Sequence, residues 1–117
     1  MKKILIAEDN PVNMELMREI LGTSRYEIIE VENGHQALAK IEELSPSLVL
    51  LDINMPGMDG FAVIHNLRKD PRFLKLPVIA LTAYAMKDDR NKMIAAGFDS
   101  YISKPIDALL LVKEIER

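Results

Sequence analysis

The chain contains no cysteine, which removes disulfides, thiol catalysis and cysteine-ligated metals from consideration. It has no basic excess either. Acidic residues outnumber lysine and arginine, the formal charge is −3, and there is no field for holding a nucleic acid directly. No apolar run approaches the ~20 residues needed to cross a bilayer. The opening MKKILIAEDN carries two lysines but only four apolar residues in succession before Glu8, too few for a secretory signal. Internal repeats, low-complexity tracts and linkers are missing as well. These absences lead to the expectation of a cytoplasmic protein without membrane contact, folded as one domain over residues 1–117. With 49% apolar and 28% charged residues, the composition is that of a globular chain and not a disordered one.

What is present is an alternation of short apolar runs with segments of helical period. ILIA (4–7), YEIIEV (26–31), SLVLL (47–51), VIAL (78–81) and the weaker SYIS (100–103) read as strands. Between them, 11–21, 34–44, 59–69 and 86–96 read as helices, and a last helix follows Asp107 to the end of the chain. Val12, Leu16, Ile20 and Leu21, with Met17, can share one face of the first helix. Asn10, Asn33, Asp59 and Asp107 are placed as N-caps, Pro11 suits a first helical position, and Gly97 suits a helix stop. Five βα units predict a doubly wound α/β fold with a parallel sheet. The third and fourth strands are almost free of polar residues, as strands covered on both faces are. The other methionines read as core filling, and His35 and His65 as surface residues.

The informative feature is where polar residues interrupt those runs. In LVLLDINMPGMDG (48–60) the most apolar strand ends on Asp52; the first strand ends at Glu8 and Asp9, the fourth at Thr82, and Lys104 follows the fifth. Carboxyl ends of parallel strands share one edge, and open α/β sheets bind ligands in the crevice outside that edge. Taken singly, each residue has a plain structural reading. Asp9 can cap a helix, Asp52 can sit in a turn, Thr82 can end a strand and Lys104 can be a solvated lysine. Together they put three carboxylates into one cleft. Two like charges about 4 Å apart cost about 1 kcal/mol in water and about 4 kcal/mol at an effective dielectric of 20. A divalent cation offsets that cost, and an all-oxygen donor set suits Mg²⁺. A lone Asp beside a cation, a lysine and a hydroxyl is what phosphoryl transfer onto a carboxylate requires.

AEDN, LLDINMPGMDG, ALTA and YISKPI together resemble the receiver domains of two-component response regulators, over the whole chain. TAYAMKDD and YISKPID are most similar to single-domain receivers of the cell-cycle type and to receivers of hybrid histidine kinases. The resemblance implies a flavodoxin-like, five-stranded parallel sheet of order 2-1-3-4-5 with five helices. It implies Asp52 as phosphoacceptor, Mg²⁺ held by Glu8, Asp9, Asp52 and the Asn54 backbone carbonyl, and Lys104 on the phosphoryl group before a cis peptide bond to Pro105. It further implies Thr82 and Tyr101 as switch residues, with Ala83 and Tyr84 beside the site.

The implied partners are a histidine kinase or histidine phosphotransfer protein near Val12, Asn13 and Leu16, and a downstream protein at the last strand and helices. The implied state is a monomer or weak dimer, and the implied role an acceptor domain that takes part in its own modification, with no turnover of an external substrate. Glu8 departs from the Asp of many members, and Tyr84 is bulky where some carry a small or acidic residue. Two rival functions are an adaptor that works without phosphorylation and an aspartyl-phosphate hydrolase. The adaptor would forgo a site residue, yet all are present. The hydrolase would place its nucleophile after the first strand with a second Asp two residues on, and the residue two beyond Asp52 is Asn54.

Overall fold

The computed structural model describes residues 2–22, 25–83 and 87–116, with only the backbone described at 87–89. Tyr84 and Met86, which figure in the sequence expectations, lie outside the described residues. Five strands alternate with five helices: β1 (Lys2–Ala7), α1 (Pro11–Leu21), β2 (Tyr26–Val31), α2 (Gly34–Leu44), β3 (Leu48–Asp52), α3 (Gly60–Lys69), β4 (Val78–Thr82), α4 (Lys87–Ala96), β5 (Ser100–Ser103) and α5 (Ala108–Ile115). The return loop KDPRFLKLP contains a 3-10 turn, Pro71–Phe73. The sheet is parallel with order β2-β1-β3-β4-β5, the flavodoxin-like arrangement.

Local chemistry sets the boundaries. Asn10 accepts the backbone N–H groups of Val12 and Asn13, Asn33 that of Gln36, Asp59 that of Ala62, and Asp107 those of Leu109 and Leu110. Gly97, at φ 115°, follows α4, in a conformation that favours glycine. Strand alternation divides the core between two faces. Leu5, Ala7, Val49, Leu51, Val78 and Ala80 pack towards α2, α3 and α4, and Ile4, Ile6, Leu50, Ile79 and Leu81 towards α1 and α5. β3 and β4 are covered on both sides, which is why their sequences carry almost no polar residue.

Three expectations need correction. The core stripe of α1 is Met14, Met17 and Leu21, while Val12 is 72% exposed and Leu16 37% exposed. Met17 and Leu21 of the stripe read from sequence are buried and Ile20 packs against the same core, while Val12 and Leu16 turn outward and Met14 joins the core instead. In α5 only Leu111 is fully buried; Leu109 and Leu110 face outward, and the helix stops at Ile115. The runs read as 47–51 and 78–81 are the strands Leu48–Asp52 and Val78–Thr82, so the polar residues read as ending those strands are their last members.

The register aligns those strand ends. Ala7 is level with Leu51, Asp52 with Leu81, and Thr82 with Ser103. Chain order reverses between β1 and β3, so the crevice opens over Glu8 and Asp52. The start of α3 approaches that crevice closely. Gly60 donates its N–H to the Ile53 carbonyl at 2.9 Å, and a Cβ placed on Gly60 would lie 2.8 Å from the Asp52 carbonyl oxygen and 2.8 Å from Ile53 Cα. Backbone cannot yield as a flexible side chain can. Gly60→Ala is therefore expected to lower stability by about 2–3 kcal/mol through overpacking. Gly57→Ala has open space around it and only the cost of φ 77°, about 1 kcal/mol. Urea unfolding of both variants checks that order; equal losses would contradict the close approach.

Candidate functional site

The site is assembled from the ends of four strands. Glu8 follows β1 and extends its ladder, donating its N–H to the Val31 carbonyl at 3.1 Å; its side chain is buried. Asp9 is exposed, and Asn10 takes the capping duty that Asp9 could have had. Asp52 ends β3, and its Oδ1 accepts the N–H of Asn54 at 3.0 Å, which fixes the turn after the strand. Asn54 itself is exposed. Thr82 ends β4 and is buried, with Ala83 exposed beside it. Lys104 follows β5, donates its backbone N–H to the Thr82 carbonyl at 2.7 Å, and is joined to Pro105 by a cis peptide bond. Tyr101 lies half-buried on β5, packed against the core face of α2, α3 and α4. The structure thus brings Glu8, Asp9, Asp52, Thr82 and Lys104 to one edge.

The Lys104 ammonium is shared. Its Nζ donates to Asp52 Oδ2 at 3.1 Å and to Glu8 Oε1 at 3.1 Å. Glu8 Oε2 also lies 3.1 Å from Nζ but outside hydrogen-bonding geometry, and it is buried with no hydrogen-bond partner. The Asn13 side-chain amide adds a second donor to Oε1, at 3.2 Å. Sequence reading placed Asn13 on a partner surface and missed this contact. The available signal was nearness in sequence: α1 begins four residues after β1 ends, so its first turn stays close to that strand end.

Charge at the site is not balanced. Glu8, Asp9 and Asp52 can each offer one oxygen, all within 4.8 Å of one another, and among the described residues the cation paired with them is the Lys104 ammonium. Burial, and then the charge of Asp52, hold the Glu8 carboxyl above its ordinary 4.5, more than the Asn13 amide and Lys104 draw it down. Burial works against the Lys104 charge, but its hydrogen bond to Asp52 and the attraction of Asp52 and Glu8 outweigh that and raise its pKa above 10.5. A buried carboxylate oxygen left without a partner costs about 1–3 kcal/mol or more. Surplus negative charge, an unpartnered buried oxygen and an all-oxygen donor set are what a divalent cation of the Mg²⁺ type fits. His35 and His65 are exposed and take no part.

The sign of the pH dependence follows from Glu8. A carboxyl whose folded pKa is raised binds more protons folded than unfolded, so its contribution to stability declines as pH rises from 4.5 through the folded value. In EDTA, wild-type stability is expected to fall over that window more steeply than that of Glu8→Gln, which has no such proton to lose. Urea unfolding at a series of pH values measures both slopes; parallel curves would contradict the burial and crowding assigned to Glu8.

Comparison with known proteins agrees with this geometry. The family model for the response regulator receiver domain matches residues 4–116. The polar-differentiation response regulator DivK of Brucella anthropi is 40% identical over 115 residues, covering 98% of this chain and 94% of DivK. The receiver domain of the sensor histidine kinase PA1611 from Pseudomonas aeruginosa PAO1 superposes with a TM-score of 0.89 at 32% identity, covering 99% of this chain and 95% of that one. Its structure has a magnesium ion coordinated in the active-site cleft. The chemotaxis response regulator CheY4 of Vibrio cholerae gives a TM-score of 0.93 at 26% identity, over 100% of this chain and 98% of that one. Sheet order, an acidic cleft at the strand ends, a family match over nearly the whole chain and a relative at this identity converge: this chain belongs to the response regulator receiver domains of two-component signalling.

Proposed function

We propose that Asp52 accepts a phosphoryl group from a phosphohistidine of a histidine kinase or histidine phosphotransfer protein, and that this modification switches the affinity of residues 1–117, acting as one receiver unit, for a downstream protein. The observation that supports this best is the sharing of Lys104 between Asp52 and Glu8, with Glu8 Oε2 unpartnered. Such a cleft holds more negative charge than the Lys104 ammonium neutralises. Glu8, Asp9, Asp52 and the Asn54 carbonyl would hold Mg²⁺. When bound, that ion supplies charge neutralisation for the incoming phosphoryl oxygens.

In the transfer step, an Asp52 carboxylate oxygen forms a bond to phosphorus as the P–N bond to imidazole breaks. The electron pair of that bond returns to the imidazole nitrogen, which takes up a proton. Lys104 is placed to leave its contact with Asp52 and pair with the phosphoryl oxygens, which it meets as a point charge. Phosphorylation adds charge and strong acceptors at the carboxyl ends of β3 and β4. Thr82, buried at the end of β4, carries a hydroxyl that would donate to the phosphoryl group, and half-buried Tyr101 on β5 would take a second packing. The switch is then a shift between two populations.

Val12 and Leu16 on α1 are exposed apolar residues beside the cleft and suit a kinase or phosphotransfer partner. Outward-facing Leu109 and Leu110 on α5, with Ile94 on α4, suit a downstream protein. The role is that of a signalling domain which takes part in its own modification, as a monomer or weak dimer in the cytoplasm, without turnover of an external substrate.

Intact-mass measurement after incubation with Mg²⁺ and acetyl phosphate tests the reading. One phosphoryl group is expected on wild type and none on Asp52→Asn. Addition to both proteins, or to neither, would contradict Asp52 as acceptor, and rapid steady release of phosphate would point to a hydrolase.

A further inference from the structure

Resting on the reading of Glu8, Asp9 and Asp52 as a cation site, we infer that Asn13 is a positioning residue for it, holding Glu8 in the orientation that leaves Oε2 without a hydrogen bond and so available as a ligand. The two oxygens of Glu8 are treated unequally. Oε1 accepts from Asn13 Nδ2 at 3.2 Å and from Lys104 Nζ at 3.1 Å, while Oε2 is buried and accepts from nothing. Lys104 alone cannot set this difference. Its Nζ is 3.1 Å from either oxygen of Glu8 and is also engaged by Asp52. The Asn13 amide contacts Oε1 alone, and unlike Lys104 it is not drawn away by Asp52.

Glutamate needs such a restraint more than aspartate would. It has one more rotatable bond, and its carboxylate reaches further from the backbone by one methylene. An amide is also the suitable donor. It fixes the oxygen through a hydrogen bond without adding a positive charge that would compete with the ion.

The placement of Asn13 is itself fixed. It lies in the first turn of α1, with its backbone N–H donated to Asn10 Oδ1 at 3.3 Å and Pro11 setting the start of the helix. Cap, helix start and carboxylate orientation form one connected arrangement: Asn10 positions Asn13, and Asn13 orients Glu8.

Calorimetric Mg²⁺ titration of the full chain, without any phosphodonor, tests the inference in wild type, Asn13→Ala, Glu8→Asp and the double variant. Removal of the amide is expected to weaken Mg²⁺ binding about 10-fold in the Glu8 background, the usual effect of losing a partner that orients a ligand. In the Glu8→Asp background the shorter carboxylate is out of the amide's reach, so the same change should alter affinity by no more than about 2-fold. Asn13→Leu keeps the branching and heavy-atom count of the side chain and should repeat the loss if Asn13→Ala perturbs α1. Wild-type affinity in both Asn13 variants, or an equal loss in both backgrounds, would overturn the positioning role. Absence of Mg²⁺ binding by wild type would instead overturn the cation reading beneath it.

Discussion

A half-buried ammonium shared between two buried carboxylates is the constraint on which the rest of this structure depends. Lys104 contacts Asp52 and Glu8 at 3.1 Å each, and the cleft still carries Asp9 and an unpartnered oxygen. Removing charges from water is costly unless they are paired and hydrogen-bonded. One lysine can pair fully with one carboxylate, so the metal-free site is held together while under-neutralised. That imbalance is one a bound cation would relieve.

The fold exists around this site in a literal sense. Parallel strands deliver their carboxyl ends to one edge, and the register puts Glu8, Asp52, Thr82 and Lys104 within reach of one another although they are far apart in sequence. β3 is buried on both faces, so its final carboxylate is presented from a rigid support. Gly60 lets α3 begin against the Asp52 backbone, and the Asn10 cap brings α1 back over Glu8. Apolar side chains remain exposed on α1 and α5.

Much of this was legible in the sequence because the signals were local. A polar residue ending an apolar run marks a strand's carboxyl end, and Asn or Asp before a helical period marks a cap; both gave Asp52, Thr82, Asn10, Asn33, Asp59 and Asp107 their places. What escaped depended on three-dimensional orientation. α1 carries more apolar residues than one stripe holds, and only packing against the sheet takes Met14 into the core and turns Val12 and Leu16 outward. The Asn13 contact needs a helix direction that spacing does not give, and the division of Lys104 between two acids needs distances. Receiver identity was readable from motifs. The imbalance of charge that gives those motifs their chemistry became countable only once partners were assigned.

That imbalance can be measured without any kinase, phosphodonor or partner. Thermal unfolding of wild type and Asp52→Asn, each in EDTA and in saturating Mg²⁺, compares the crowded site with one relieved of a charge. With Asp52 neutral, Lys104 serves Glu8 alone. The variant should therefore melt higher than wild type in EDTA, by an amount on the order of 1 kcal/mol, and gain less from Mg²⁺ because it has lost a ligand. A variant that melts at or below wild type in EDTA, or gains as much from Mg²⁺, would contradict the claim that surplus carboxylate charge organises this cleft.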